Sequence, residues 1–123
     1  MLSNAILAEL RAALPEAALI TQASQLQTYE CDGLTNFRTL PSAVTLPKTS
    51  AEVQKIVQIC ARHKVPFVAR GAGTGLSGGA LPTEGSVIIS LARMNRFLST
   101  DLDNQRITVE PGVTNSQVTD RVK

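Results

Sequence analysis

Apolar residues return at Ile6, Leu7, Leu10 and Leu14, the three-and-four spacing of one helix face. Ser3 or Asn4 supplies a cap and Pro15 a stop, so the spacing predicts a helix over residues 3–14. A second short helical stretch fits residues 22–28. The rhythm then changes. Residues 43–46 read as a short strand closed by Pro47, and Thr49-Ser-Ala-Glu52 has the spacing of a capping box. Val53, Ile56, Val57 and Cys60 continue one face of the helix that follows, to about residue 64. Residues 66–69 form the next strand, and strand, helix, strand predicts a βαβ unit joining two parallel strands. Further on, 86–91 reads as a buried strand. Residues 97–100 and 106–110 flank the turn Asp101-Leu-Asp-Asn104 and suit an antiparallel hairpin. Pro111-Gly112 then bends the chain into a last helix that reaches Lys123 with no stop signal, the pattern expected of a truncated chain. The run from Glu30 to Pro41 has turn chemistry at Asp32-Gly33 and little periodicity, so it is expected to be an ordered loop.

Composition narrows the function classes. With 123 residues the chain is one domain at most, and 43% hydrophobic against 18% charged residues is enough for a packed core. Four aromatic residues and no Trp leave that core to Val, Ile, Leu and Ala and exclude a base-stacking platform. Twelve Lys and Arg against 10 Asp and Glu give a net charge of +2 with no run of like charges, which implies no nucleic-acid partner. The first sixteen residues have no basic start and are interrupted by Glu9 and Arg11. A secretion signal and a membrane span are therefore both disfavoured, and a cytoplasmic place is expected. Cys31 and Cys60 belong to no metal-ligand or redox spacing, so no metal is expected. Cys60 falls on the apolar helix face, where a thiol is a small hydrophobe. Cys31 lies between Glu30 and Asp32, whose charges oppose thiolate formation. His63, the one histidine, is expected at the exposed end of its helix.

The most informative stretch is Arg70-Gly-Ala-Gly-Thr-Gly-Leu-Ser-Gly-Gly-Ala80, directly after the second predicted strand. Five of the 8 glycines fall in it. A backbone that lets a pyrophosphate approach closely and offers it several N–H groups needs glycine. The phosphate-loop pattern GxxxxGK[ST] fails, because Gly79 stands where Lys is required. GxGxxG matches at Gly73, Gly75 and Gly78, so a nicotinamide-binding Rossmann fold stays open on pattern and loses on context. Gly79, Pro82 and Gly85 oppose the helix that fold needs, and the acidic residue expected about twenty positions on is Asp101, in a hairpin turn. The remaining option is a long glycine loop with no helix behind it.

That loop, with Val65-Pro-Phe-Val before it and Ala80-Leu-Pro82 behind it, resembles the FAD-binding domain of the vanillyl-alcohol oxidase / p-cresol methylhydroxylase family. Tyr29-Glu-Cys-Asp-Gly-Leu34, Arg38-Thr39, Leu46-Pro47 and Val109-Glu-Pro-Gly-Val113 are similar to the branch that holds the FAD-linked subunits of glycolate oxidases, with D-lactate dehydrogenases as near relatives. The resemblance implies an α+β fold of the PCMH type, with an N-terminal βαβ subdomain and the start of an antiparallel second one. Residues 1–40 would be a helical and loop lead-in, and 41–123 an incomplete FAD-binding domain. The cofactor-binding residues it implies are Arg70, Gly71, Ala72, Gly73, Thr74, Gly75, Leu76, Ser77, Gly78 and Gly79, with Pro111 and Gly112. Thr74 and Ser77 would add hydroxyl donors. Arg70 adds charge to the site or is a structurally paired residue, and Pro111-Gly112 approaches the flavin or is a plain turn. Both alternatives stay open. Some relatives place a flavin-linked histidine where Thr74 stands, so non-covalent FAD is expected.

The implied reaction is oxidation of a small 2-hydroxy acid, glycolate or D-lactate, to its 2-oxo acid, with hydride passing to the flavin and electrons leaving through other oxidase subunits or another acceptor. A cytochrome-linked D-lactate dehydrogenase and a non-catalytic FAD-binding fragment are the alternatives. Substrate would be held by a C-terminal domain outside these residues, no catalytic residue is expected within them, and any membrane association would be peripheral, at the inner membrane, through partner subunits.

Overall fold

A computed structural model describes residues 2–123. Helix α1 spans Asn4–Ala13, capped by the Ser3 hydroxyl, which accepts from the Ile6 main-chain N–H at 3.4 Å. It ends at Leu14, already extended before Pro15, because the residue ahead of a proline is pushed out of the helical region. A single 3-10 turn, Glu16–Ala18, leads into β1 (Leu19–Ile20), and α2 (Ala23–Leu26) runs into another, Gln27–Tyr29. Then come β2 (Ala43–Thr45), α3 (Ser50–Arg62), β3 (Phe67–Arg70) and β4 (Val87–Ser90). The chain finishes with β5 (Phe97–Asp101), β6 (Arg106–Val109) and α4 (Asn115–Arg121).

The first four strands form one sheet in the order β1-β2-β4-β3. The βαβ expectation holds, with one strand inserted between its two parallel strands. Strands β2 and β3 share a direction but are not neighbours, since β4 lies between them, parallel to both, with Ile88 opposite Val44 on one side and Val68 on the other. The physical reason is burial. All four residues of β4 are buried and the strand takes the centre, whereas Phe67 and Ala69 of β3 are exposed and suit an edge. Strand β1, antiparallel to β2 and only two residues long, carries no readable period and was not expected.

Successive side chains alternate between the two sheet faces. Ala43, Val87 and Ile89 pack on α1 and α3 through Leu10, Leu14, Ile56, Ile59 and Cys60. Val44 and Ile88 meet Leu26, with Ile20 and Tyr29 at the margin. Cys60 is fully buried, and that burial pushes its thiol pKa up. Helices α1 and α3 are also joined at the surface by Glu9, which meets His63 Nε2 at 2.8 Å and Arg62 at 3.4 Å.

The capping box expected at Thr49 is only half formed. The Thr49 hydroxyl accepts from the Glu52 N–H, but the Glu52 carboxylate takes the N–H of Lys48, one residue early. A complete box closes instead at Thr114 and Gln117, at the head of α4. Strands β5 and β6 form the expected antiparallel hairpin, with an irregularity between Phe97 and Ser99. Arg121 of α4 stacks over the Phe97 ring at 5.6 Å, so helix and hairpin pack together. Among the described residues no helix is long and apolar enough to cross a membrane.

Candidate cofactor site

The glycine loop leaves the carboxyl end of β3, where parallel sheets place their ligands. Its first part faces the bend after the hairpin. Gly71, Ala72 and Thr74 on one side, and Pro111, Gly112 and the segment Val113 to Gln117 on the other, line one cleft of about 630 Å³, with Ala92 and Asn95 between them. The two segments singled out in the sequence therefore meet at one place. Gly75, Leu76, Ser77, Gly78 and Gly79 continue beyond the cleft, and Leu76 is exposed. No side chain lining the cleft titrates, so it holds no acid or base of its own.

The loop's hydrogen bonding is one-sided. Its carbonyls are used inside the chain: Gly75 O accepts from Gly33 N at 2.9 Å and Gly78 O from Leu81 N at 3.2 Å. Among the described residues no main-chain N–H from Gly71 to Gly79 donates to any acceptor of the chain. Unpaired N–H groups in succession make an anion-binding concavity.

The glycines themselves divide by cause. Gly73 and Gly78 have φ of +73° and +75°, which L side chains rarely adopt. At Gly112 an added Cβ would run into the Leu91 and Met94 carbonyl oxygens, so the bend needs glycine for its own packing. At Gly71, Gly75 and Gly79 there is neither a positive φ nor any atom within 4 Å of an added Cβ. Nothing inside the chain demands glycine there. A pyrophosphate fits both this bareness and the free N–H groups.

Arg70 is 8% exposed and turns back on the protein. Its Nη1 donates to Cys31 O at 2.7 Å and to Ala80 O at 3.4 Å, and its guanidinium lies 5.5 Å from the centre of the Tyr29 ring. The sequence marked Tyr29 to Leu34 by likeness and, from its turn chemistry, as part of an ordered loop, but not as the brace of the glycine loop. Besides the Gly33–Gly75 bond, a Cβ on Gly33 would meet Thr74 O at 2.7 Å and Gly75 O at 2.8 Å, so the two backbones touch. Asp32 keeps the segment turned by accepting from Leu34 N at 2.8 Å. The Asp32-Gly33 turn chemistry was the available signal.

A parallel-stranded sheet that delivers an open glycine loop to a cleft, closed on its far side by a hairpin and bend, defines a nucleotide-cofactor cradle. Residues 41–123 match the FAD binding domain family, and the chain belongs to it. It is 42% identical over 119 residues to glycolate oxidase subunit GlcD of Escherichia coli strain K12, covering 97% of this chain and 24% of the relative. To D-2-hydroxyglutarate dehydrogenase of Stutzerimonas stutzeri it is 33% identical, over 96% of this chain and 25% of the relative. Among solved structures, p-cresol methylhydroxylase with substrate bound superposes with a TM-score of 0.84 at 32% identity, covering 97% of this chain and 24% of that one. The chain thus spans about a quarter of the length of these relatives.

Proposed function

We propose that this chain is the FAD-holding portion of a flavin-dependent dehydrogenase of small 2-hydroxy acids. The observation that carries the FAD part is the unbroken run of free N–H groups from Gly71 to Gly79, left bare at Gly71, Gly75 and Gly79, where the fold itself does not require glycine. These N–H groups bind the pyrophosphate, and the Thr74 and Ser77 hydroxyls add donors. Pro111 and Gly112 form the facing wall of the cleft. FAD, when bound, supplies the two-electron acceptor for oxidation of the substrate's carbinol carbon. This chain's residues bind and orient it. Likeness to a glycolate oxidase subunit and a D-2-hydroxyglutarate dehydrogenase supports the substrate class, and the former's place as one subunit of an oxidase supports association with further subunits. Residues 1–40 act as the brace and 41–123 as the cradle.

The test uses the chain together with whatever coding sequence naturally follows Lys123. Micromolar FAD binding by flavin fluorescence, with dye reduction on adding glycolate or D-lactate, is the expected result. FAD binding with no oxidation of any 2-hydroxy acid overturns the substrate class. No FAD binding overturns the reading itself.

A further inference from the structure

The structure assigns Arg70 a role as a positioning residue: clasped between the Tyr29 ring and the carbonyls of Cys31 and Ala80, it fixes the glycine loop's path and so sets FAD affinity without touching FAD. This rests on the FAD reading above. A guanidinium at 8% exposure is expensive to bury unless its donors are used. Yet Arg70 takes part in no ion pair among the described residues. Its partners are two main-chain oxygens and an aromatic face, drawn from two separate segments of the site. Ala80 closes the glycine loop that Arg70 opens, so the bond to Ala80 O ties the loop's end to its beginning. Cys31 and Tyr29 belong to the bracing segment. The guanidinium also occupies the space that a Cβ at Gly73 would need, which sets the loop's course at its third residue. With both ends and this corner held, the N–H groups between them are presented in one arrangement before any ligand arrives. Preorganisation of this kind raises affinity by removing an ordering cost.

Lysine cannot reproduce this clasp: its ammonium can reach the two carbonyls that Arg70 Nη1 serves, but it lacks the planar guanidinium that lies over the Tyr29 ring at the same time. That separates the clasp from direct charge pairing with the pyrophosphate, in which Arg70→Lys would keep most of the affinity. The experiment measures FAD affinity and amide hydrogen exchange of residues 71–79 in the parent chain and in R70K, R70A, Y29L and Y29F, together with any natural continuation beyond Lys123. Loss of the stacked, hydrogen-bonded guanidinium is expected to weaken FAD binding by about tenfold in R70K and R70A alike. Y29L should lose a comparable factor, and the R70K/Y29L pair should lose less than the product of the two. Y29F keeps the ring face and should bind FAD as the parent does. Exchange at 71–79 should quicken in R70K, R70A and Y29L without FAD present, while β4 stays protected.

Near-parent affinity in R70K, with a weaker salt dependence of binding in R70A, overturns the clasp in favour of direct contact. Unchanged exchange at 71–79 in all variants overturns it too, and needs no cofactor. If the parent chain binds no FAD, the FAD reading fails and the positioning role with it, while the exchange data still report whether the clasp orders the loop.

Discussion

Arg96 and Glu110 are joined twice over, by side chain and by main chain. Arg96 Nη2 and Nε donate to Glu110 Oε1 at 2.7 and 3.0 Å, the Arg96 N–H donates to Oε2 at 2.8 Å, and the Glu110 N–H returns to Arg96 O at 2.9 Å. The pair closes the open end of the β5–β6 hairpin one residue before Pro111, so it anchors the bend that walls the cleft. The Arg96 side-chain hydrogen bond, followed by the main-chain one, holds the Glu110 carboxyl below its ordinary value of 4.5. Asp101, at the hairpin's other end, is lowered in the same direction by Asn104. For a carboxyl depressed in the folded state, stabilisation is complete above its unfolded pKa and is lost as pH falls through the folded one. The hairpin and bend should therefore hold steady from neutral pH to about 5 and loosen below the ordinary carboxylate range. Acid titration followed by NMR of residues 97–112 checks this, and Glu110→Gln should remove most of the pH dependence at the bend while lowering stability at pH 7.

Two glycines on opposite walls of the cleft should respond oppositely to the same substitution. Gly112→Ala forces a methyl into the backbone of Leu91 and Met94 and should cost about 1–3 kcal/mol of stability, the usual range for overpacking a tight site. Gly71→Ala meets nothing and needs no unusual φ, so its melting temperature should match the parent's. Its FAD affinity should nevertheless fall by about tenfold or more, because the methyl occupies the face that the ligand approaches. A destabilised Gly71→Ala would show that this glycine serves the fold.

Much of this was legible because it is local. The helix faces of α1 and α3, the β5–β6 turn and the bend at Pro111 are written within a dozen residues each, and the glycine loop announces itself by composition. What escaped is what contact at long range decides. Strand β1 exists because β2 offers it a partner, and β4 enters between β2 and β3 because its unbroken run Val87-Ile88-Ile89 suits a strand buried on both faces, which the exposed Phe67 and Ala69 of β3 do not. The half-formed box at Thr49 turns on which N–H the Glu52 carboxylate reaches, a matter of loop direction at Pro47-Lys48. Arg70 shows the limit most plainly. Its sequence position beside a phosphate loop leaves a cofactor ligand and a structurally paired residue both open, and only the fold reveals partners 39 residues back and 10 ahead.

Lys64 ends α3 in a left-handed conformation, φ 54°, with Val65 N bonded back to Cys60 O at 2.8 Å. Glycine is the residue that adopts this geometry without cost at a helix end. Lys64 is exposed and its side chain has no hydrogen-bond partner among the described residues, so nothing offsets the strain. Lys64→Gly should raise stability by about 0.5–1 kcal/mol in chemical denaturation, less than the full left-handed penalty because glycine also gains entropy in the unfolded chain. A loss of stability would show that the lysine stem contributes packing at the end of α3.

FAD should be released intact when the loaded protein is unfolded. A covalent flavin link needs a nucleophilic side chain at the ring, and the cleft offers threonine, serine, asparagine and glutamine but no histidine, cysteine or tyrosine. Thr74, at the loop's third position from Gly71 onward that faces the cleft, carries only a hydroxyl with no base beside it. His63 is committed to Glu9 at the end of α3, and Cys60 is buried between helix and sheet. Denaturing the flavin-loaded protein and passing it through a size filter should leave a colourless protein and a yellow filtrate. Yellow retained with the denatured protein would place a covalent bond on a residue that this cleft does not present.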